Sequence, residues 1–117
     1  MITSSNVTLA IPTYRRAPAL IRLLDHLKSW KDQPGAIIVV DQTEGVEAHE
    51  RSAIDAWAET EHHNYLHLEQ PNLPAARNHA LALTDTSWIA FLDDDALPEA
   101  DYLKALISRA NAPGVDA

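Results

Sequence analysis

The chain has 117 residues, a net charge of −8 and no cysteine. This length suits one domain with a core of its own, and the absence of cysteine excludes disulfide frameworks and thiolate metal sites. The acidic balance argues against a protein that binds the nucleic-acid backbone, because that class needs a basic face.

The sequence opens with a strand and a helix. The apolar run VTLAI, residues 7–11, predicts a buried strand that Pro12 stops. Leucines at helical spacing then predict a helix over 17–30. Pro18 suits the first turn of that helix, since the N–H that proline lacks would have no helical partner there.

The middle of the chain repeats this alternation. A continuous apolar run over 36–40 predicts a second strand that ends at Asp41. A sparser apolar pattern predicts a weaker helix over 46–60. The run YLHLEQ, residues 65–70, predicts a third strand, and residues 73–84 predict a short third helix.

The last strand and the last helix are predicted over 87–92 and 97–110. Pro98 lies near the predicted start of this helix. Glu99 and Asp101 would then fall in its first turn, where acidic side chains are favourable because the helix N-terminus carries a partial positive charge.

The order of these elements predicts the fold class. Strands that are apolar throughout, separated by helices, indicate a parallel sheet that is covered on both faces. We therefore expect an α/β fold, with a mostly parallel, Rossmann-like sheet of about four strands and helices on both faces, in one domain over residues 1–117.

The sequence shows no feature of export or of membrane insertion. Its N-terminal segment MITSSNVTLA lacks the basic and long apolar regions of a signal peptide. No stretch reaches the apolar length that spans a bilayer. We expect a cytoplasmic protein with no transmembrane segment and no nucleic-acid partner.

Acidic side chains end two of the four predicted strands, at the edge where open parallel sheets bind ligands. Asp41 ends the second strand, and Asp93, Asp94 and Asp95 follow the fourth. In extended backbone Asp93 and Asp95 would share one face, where two carboxylates repel unless a cation lies beside them. Mg²⁺ and Mn²⁺ are commonly held by one or two carboxylates together with phosphates and water, so the triplet predicts a metal and a phosphorylated ligand.

Each candidate also has a purely structural interpretation. The triplet could be a solvated acidic turn before the last helix, and Asp41 a turn-forming residue. Arg77, in the third helix, could bind phosphate or carboxylate, or simply lie exposed. Tyr14 could stack on a base or cover the edge of the core. The histidines show no helical metal-ligand spacing, so they argue little for a histidine-bound metal.

Four segments, PTYRR, VVD, LPAARNHAL and FLDDDALP, occur in this order along the sequence. Together they resemble the N-terminal, nucleotide-sugar-binding half of glycosyltransferase family 2, which has the GT-A fold. The resemblance covers about residues 7–108. It implies a partial GT-A domain that binds the sugar donor.

The resemblance implies contacts between the first three segments and the nucleotide. Pro12, Thr13 and Tyr14 would pack around the base. Asp41 would accept a hydrogen bond from a uracil-type base, and Arg77 would lie near the base or the diphosphate.

The resemblance also implies a role for each member of the aspartate triplet. Asp95 would be the ligand of a divalent metal, Mn²⁺ or Mg²⁺. Asp93 or Asp94 would contact the ribose and the donor.

The expected activity is transfer of a sugar from a nucleotide-diphosphate sugar, with UDP the first nucleotide expected, by an inverting, metal-dependent mechanism. Members of the family normally continue into a segment that completes the sheet, binds the acceptor and supplies the general base. Neither His79 nor Glu69 matches that base, so the catalytic residue stays unassigned. The alternative is a non-catalytic nucleotide-binding or assembly module of the same fold.

A chain that ended at this point would expose apolar surface on the fourth strand and the last helix. Another copy of the chain or a partner could then cover that surface. Other phosphate-handling α/β proteins fit less well. The first strand ends in PTYRR rather than in an acidic pair, and three glycines, at 35, 45 and 114, form no phosphate-binding loop.

Overall fold

The computed structural model describes residues 2–60, 62–69 and 72–113. In this part of the chain four strands form one sheet in the order β3-β2-β1-β4, and all of its pairings are parallel. The strands are β1 (Val7–Thr13), β2 (Ala36–Asp41), β3 (His63–His67) and β4 (Trp88–Phe91). The helices are α1 (Ala17–Lys28), α2 (Ala48–Ala58), α3 (Leu73–Leu83) and α4 (Tyr102–Ala110), and a short 3₁₀ turn, Ser4–Asn6, precedes β1.

The sheet has a hydrophobic core on each face, because alternate residues of a strand point to opposite sides. The larger core lies between the sheet and α1, α2 and α4, and its sheet residues include Leu9, Ile11, Ile37 and Val39. The smaller core joins the other face to α3 and contains Ala10, Ile38, Val40, Ala76 and Ala80. This arrangement confirms the predicted α/β fold with helices on both faces.

The prediction that Pro12 stops the first strand was wrong. β1 continues to Thr13, and Pro12 is paired in register with Val40 of β2. The Thr13 carbonyl accepts a bond from Gln42 on the β2 side, whereas Ala10 bonds to Leu92 on the β4 side. Because successive residues point their backbone groups to opposite sides, Pro12 faces the β4 side beyond the last β4 pair, where its missing N–H interrupts no ladder.

The third strand is shifted toward the N-terminus relative to its predicted span of 65–70. It runs over His63–His67, and its five residues pair with the five residues Ile37–Asp41 of β2. The Leu68 N–H then donates to the Asp41 carbonyl and ends the ladder. Pairing with β2, rather than local composition, sets the bounds of β3. Gln70, the last residue of the predicted strand, lies outside the described residues.

The last helix begins at Tyr102, later than predicted, so Glu99 and Asp101 do not lie in its first turn. The segment before it is held by another element. His26 of α1 donates from Nε2 to the Pro98 carbonyl oxygen at 2.5 Å. This long-range bond fixes Pro98, which the sequence alone assigned to the start of the helix, in the segment before it.

Large apolar side chains are exposed on α3, on β4 and in the loop after β4. They are Leu73, Leu81, Leu83, Phe91 and Leu97. Of these five side chains, Phe91 lies on β4, Leu97 in the loop after it and the other three on α3, and none of the five lies on α4. None of the helices within the described ranges combines the length and the apolar character needed to cross a membrane.

Gly35 is required by a close approach of two backbone segments. A Cβ at this position would lie 2.2 Å from the Ser5 carbonyl oxygen, and the Gly35 N–H donates to the Ser4 and Val7 carbonyls. We expect Gly35→Ala to lower the free energy of unfolding by about 2–3 kcal/mol, because backbone atoms must move to admit the methyl group. Chemical denaturation measures this loss, and faster exchange of the residue 35 amide would locate it.

Gly45→Ala is the matched control for this prediction. Gly45 has φ of +67° but open space around its Cβ position, so alanine meets only a backbone penalty of about 1 kcal/mol. Equal losses in the two variants, with unchanged amide exchange at residue 35, would contradict the close-approach explanation.

Candidate functional site

A cavity of about 400 Å³ opens at the carboxyl ends of β1 and β2, beside the turn that follows β4. Because β2 and β4 flank β1 on opposite sides, the cavity lies where the strand order reverses. Open parallel sheets bind their ligands at this position. The lining residues are Pro12, Thr13, Tyr14, Arg16, Gln42, Asn72, Leu73 and Asp94.

The aspartate triplet forms a turn, and the expectation of extended backbone was wrong. The Ala96 N–H donates to the Asp93 carbonyl at 3.1 Å, so Asp94 and Asp95 are the two corner residues. Asp94 is 6% exposed and points into the site. The Thr13 hydroxyl donates to Asp94 Oδ2 at 2.8 Å, which joins the end of β1 to the turn after β4.

Arg16 lies between the two corner carboxylates, and the sequence analysis did not identify it. Its Nη1 is 3.3 Å from Asp94 Oδ1 and 3.4 Å from Asp95 Oδ2. The Arg16 side chain is 57% exposed and that of Asp95 is 63% exposed. An arginine of the chain itself therefore offsets part of the charge of Asp94 and Asp95, the two corner residues, rather than that of the pair Asp93 and Asp95 that extended backbone would have brought together. The available signal was the paired arginine in PTYRR, next to a strand end.

The loop after β1 presents alternate side chains to the cavity. Arg15 has φ of +55°, a left-handed conformation that is unusual for a residue with a side chain. Its N–H donates to Thr43 Oγ1 at 2.6 Å, and its guanidinium pairs with Glu44 at 2.9 Å. The hydrogen bond from Arg15 lowers the pKa of Glu44. With Arg15 held outward, Tyr14 and Arg16 both line the cavity.

Asp41 lies beside the cavity but is not among its lining residues in the described part of the chain. It is 2% exposed. Its Oδ1 accepts the Thr43 N–H at 2.9 Å, and its Oδ2 accepts the Tyr65 hydroxyl at 2.5 Å. Burial, followed by this hydrogen bond, raises the pKa of Tyr65. Both carboxylate oxygens thus bind groups of the chain and hold the ends of β2 and β3 together.

Arg77 is also outside the described lining of the cavity. It lies on the exposed side of α3, with its guanidinium carbon 5.6 Å from the centre of the Phe91 ring. This is a cation–π distance. The structure therefore brings together Pro12, Thr13, Tyr14 and Asp94, with the other two aspartates in the same turn, and leaves Arg77 on a neighbouring surface.

The wall opposite Asp94 is built from residues that the sequence analysis did not single out. The Asn72 N–H donates to the side-chain oxygen of buried Gln42. The Asn72 side chain in turn accepts the Ala75 N–H at 3.0 Å and caps α3. Leu73 adds an exposed apolar surface. Amide groups beside apolar and aromatic side chains are the usual lining of a small-molecule pocket.

The aspartate triplet fits a metal site in which a bound phosphate supplies some of the ligands better than a site in which protein side chains supply them all. Within the described ranges, three metal-ligating side chains converge, with ligand atoms inside 4.8 Å, at Glu47, His49 and Glu50, and not at the triplet. The triplet can therefore supply one or two carboxylates. That is the usual protein share of a Mg²⁺ or Mn²⁺ site whose other ligands are substrate phosphates and water.

A curated relative is similar to this chain over most of the chain's length. The pre-mycofactocin glycosyltransferase of Mycobacterium tuberculosis is 31% identical over 110 residues, which are 94% of this chain and 22% of that protein. The chain thus spans less than a quarter of its relative's length.

Solved structures share the fold. The mannosyltransferase PcManGT from Pyrobaculum calidifontis, in complex with GDP-Man and Mn²⁺, aligns with a TM-score of 0.77 at 24% identity, over 97% of this chain and 35% of that chain. S. aureus TarS aligns with a TM-score of 0.70 at 17% identity, over 95% of this chain and 38% of that chain. At these identities the likeness establishes the α/β fold of GT-A glycosyltransferases. The family model of glycosyl transferase family 2 matches residues 8–117, and the chain belongs to that family.

Proposed function

We propose that this chain forms the donor-binding part of a glycosyltransferase that uses a nucleotide-diphosphate sugar together with Mn²⁺ or Mg²⁺. UDP is the first nucleotide expected. The observation that carries the proposal is the cavity at the strand-order reversal, with a buried aspartate in its wall and an exposed one beside it. The neighbour solved with GDP-Man and Mn²⁺ has the same fold, which supports the ligand class.

The base and ribose would occupy the cavity itself. Tyr14 offers an aromatic face, and Pro12 and Leu73 offer apolar contact. Asp94 is fixed by the Thr13 hydroxyl, so it is oriented in advance to accept a hydrogen bond from a ribose hydroxyl.

The diphosphate would lie at the exposed side of the turn, where Asp95 would hold the metal. When bound, a divalent ion offsets the charge that develops on the leaving diphosphate. Arg77 contacts this region only if its guanidinium leaves the Phe91 ring, so its contact with the ligand stays a prediction.

For Asp41 we propose a positioning role. Its oxygens already accept bonds from Thr43 and Tyr65, and the side chain is buried. It would therefore fix the end of β2, and with it Gln42 in the cavity wall, without touching the base. No general base is assigned among the described residues.

Calorimetry with UDP, GDP and dTDP, each with and without Mn²⁺, tests the proposal. We expect saturable binding of one nucleotide, at least about tenfold tighter with the metal, because the ion links the diphosphate to Asp95. Weak binding that is equal for all nucleotides and independent of metal would overturn it. Metal-dependent binding by the full-length protein without sugar transfer or donor hydrolysis would favour the non-catalytic alternative.

A further inference from the structure

We infer that Arg16 is an internal counter-ion that couples metal binding to diphosphate binding. In the free protein its guanidinium would pair with the Asp95 carboxylate and lower the affinity of that carboxylate for a metal ion alone. A bound diphosphate would attract the guanidinium away from Asp95. This inference rests on the proposed function and assigns a positioning residue within that site.

The contacts of Arg16 are suited to exchange. One atom, Nη1, reaches both Asp94 and Asp95, at 3.3 and 3.4 Å. Charge-assisted hydrogen bonds of this kind are usually about 2.7–2.9 Å long, so each carboxylate holds the guanidinium loosely. The Arg16 side chain is also more than half exposed, so it has room to move.

Asp94 and Asp95 differ in the partners that each would keep if Arg16 moved away. Asp94 is buried and keeps the Thr13 hydroxyl as a partner. Asp95 is exposed, and Arg16 is the side chain that it contacts among the described residues. If Arg16 moved, Asp94 would keep the Thr13 hydroxyl on Oδ2 and its Oδ1 would be open to a ribose hydroxyl. Asp95 would become a free carboxylate facing the ligand.

The charges then predict the coupling. A divalent ion at Asp95 is repelled by a guanidinium on the same carboxylate, so Arg16 lowers the affinity for metal alone. A diphosphate offers oxygens that match the guanidinium fork, so it can take Arg16 from Asp95. Each ligand therefore helps the other to bind, and this effect is reciprocal in free energy.

The test measures Mn²⁺ binding by electron paramagnetic resonance and UDP binding by calorimetry, separately and together, without any activity assay. In Arg16→Gln, we expect the affinity for Mn²⁺ alone to rise about tenfold. The factor by which UDP tightens Mn²⁺ binding should fall by a similar amount. Adding Asp95→Asn to Arg16→Gln should remove the gain, since the gain requires the freed carboxylate.

Arg15→Gln is the matched control for the aspartate contacts, because it removes the same charge from the adjacent residue, which pairs with Glu44 and lies over the Tyr14 ring instead. It should change neither the affinity for Mn²⁺ alone nor the factor by which UDP tightens Mn²⁺ binding by more than about twofold. Arg16→Lys keeps the charge but not the fork, so it should retain the weak metal affinity and lose part of the coupling. It also serves as the test variant if Arg16→Gln does not fold.

Two outcomes would overturn the inference, and they differ in what they mean for the proposed function. If the wild type binds Mn²⁺ and UDP cooperatively but Arg16→Gln behaves like Arg15→Gln, the coupling role fails and the donor-binding proposal stands. If the wild type binds no nucleotide with or without metal, both fail.

Discussion

Asp95→Asn is expected to weaken UDP binding in the presence of Mn²⁺ at least about tenfold, down to the affinity without metal, and to leave the fold intact. Loss of a residue that only supports a metal ligand already costs about 10–100-fold, and Asp95 is the ligand that we propose. An amide oxygen carries no full charge to balance a divalent ion. The side chain is 63% exposed, so the neutral replacement meets no packing obstacle. Calorimetric titration of UDP at one fixed Mn²⁺ concentration, just sufficient to saturate the wild type, measures the loss.

Glu99→Gln is the control for Asp95→Asn. Glu99 is an exposed carboxylate shortly after the same turn, and the substitution removes the same charge. Its effect should stay within about twofold, because solvent and salt screen exposed charges that do not touch the ligand. Equal losses in both variants would show a general charge effect, and full retention in Asp95→Asn would place the metal elsewhere.

Tyr65→Phe is expected to lower the free energy of unfolding by about 2–3 kcal/mol at neutral pH. The tyrosine hydroxyl donates to Asp41 Oδ2 at 2.5 Å, and Asp41 is buried. Phenylalanine keeps the ring but leaves a buried carboxylate oxygen without this donor, and an unsatisfied buried charge is costly. Urea denaturation of the two proteins measures the difference.

The same pair of proteins gives a pH dependence whose sign follows from Tyr65. Burial, and then the bond to Asp41, raises the pKa of Tyr65 above its ordinary value of 10.0. The folded state therefore favours the protonated phenol, and this stabilisation is complete below pH 10 and is lost as the pH rises through the folded-state pKa. The stability difference between wild type and Tyr65→Phe should be constant near neutral pH and shrink above pH 10.

Tyr102→Phe separates this effect from general tyrosine ionisation. Burial alone raises the pKa of Tyr102, with no carboxylate partner among the causes. Its replacement should cost less than about 1 kcal/mol at neutral pH, because no buried acceptor is left without its donor. A loss as large as that of Tyr65→Phe would contradict the role given to the Asp41 bond.

Local patterns in the sequence were sufficient to predict the main strands and helices, because these elements depend on residues close together in the chain. The apolar run from Ala36 to Val40, closed by Asp41, is β2 as the structure has it. The apolar runs of β1, β2 and β4, with helical patterns between them, were enough to predict the parallel α/β fold, since a strand buried on both sides must be apolar throughout. The edge strand β3 contains exposed Asn64 and His67, and its bounds did not follow from composition. The four motifs, three at strand ends and one on α3, also identified the family, which the match over residues 8–117 confirms.

Contacts between distant segments decided what the sequence alone did not. Whether the missing N–H of Pro12 interrupts a ladder depends on where β4 ends, and a bond from His26 holds Pro98 in the segment before α4. In the site, Arg16 meets Asp94 across 78 positions of the chain, and Asp41 meets Tyr65 across 24. Periodicity reports which face of an element is buried, but it carries no information about which distant side chain supplies a charge or a hydrogen bond. The aspartate triplet was therefore visible in the sequence. Its turn conformation, and the arginine that offsets part of its charge, became visible only when the ends of β1 and β4 were brought together.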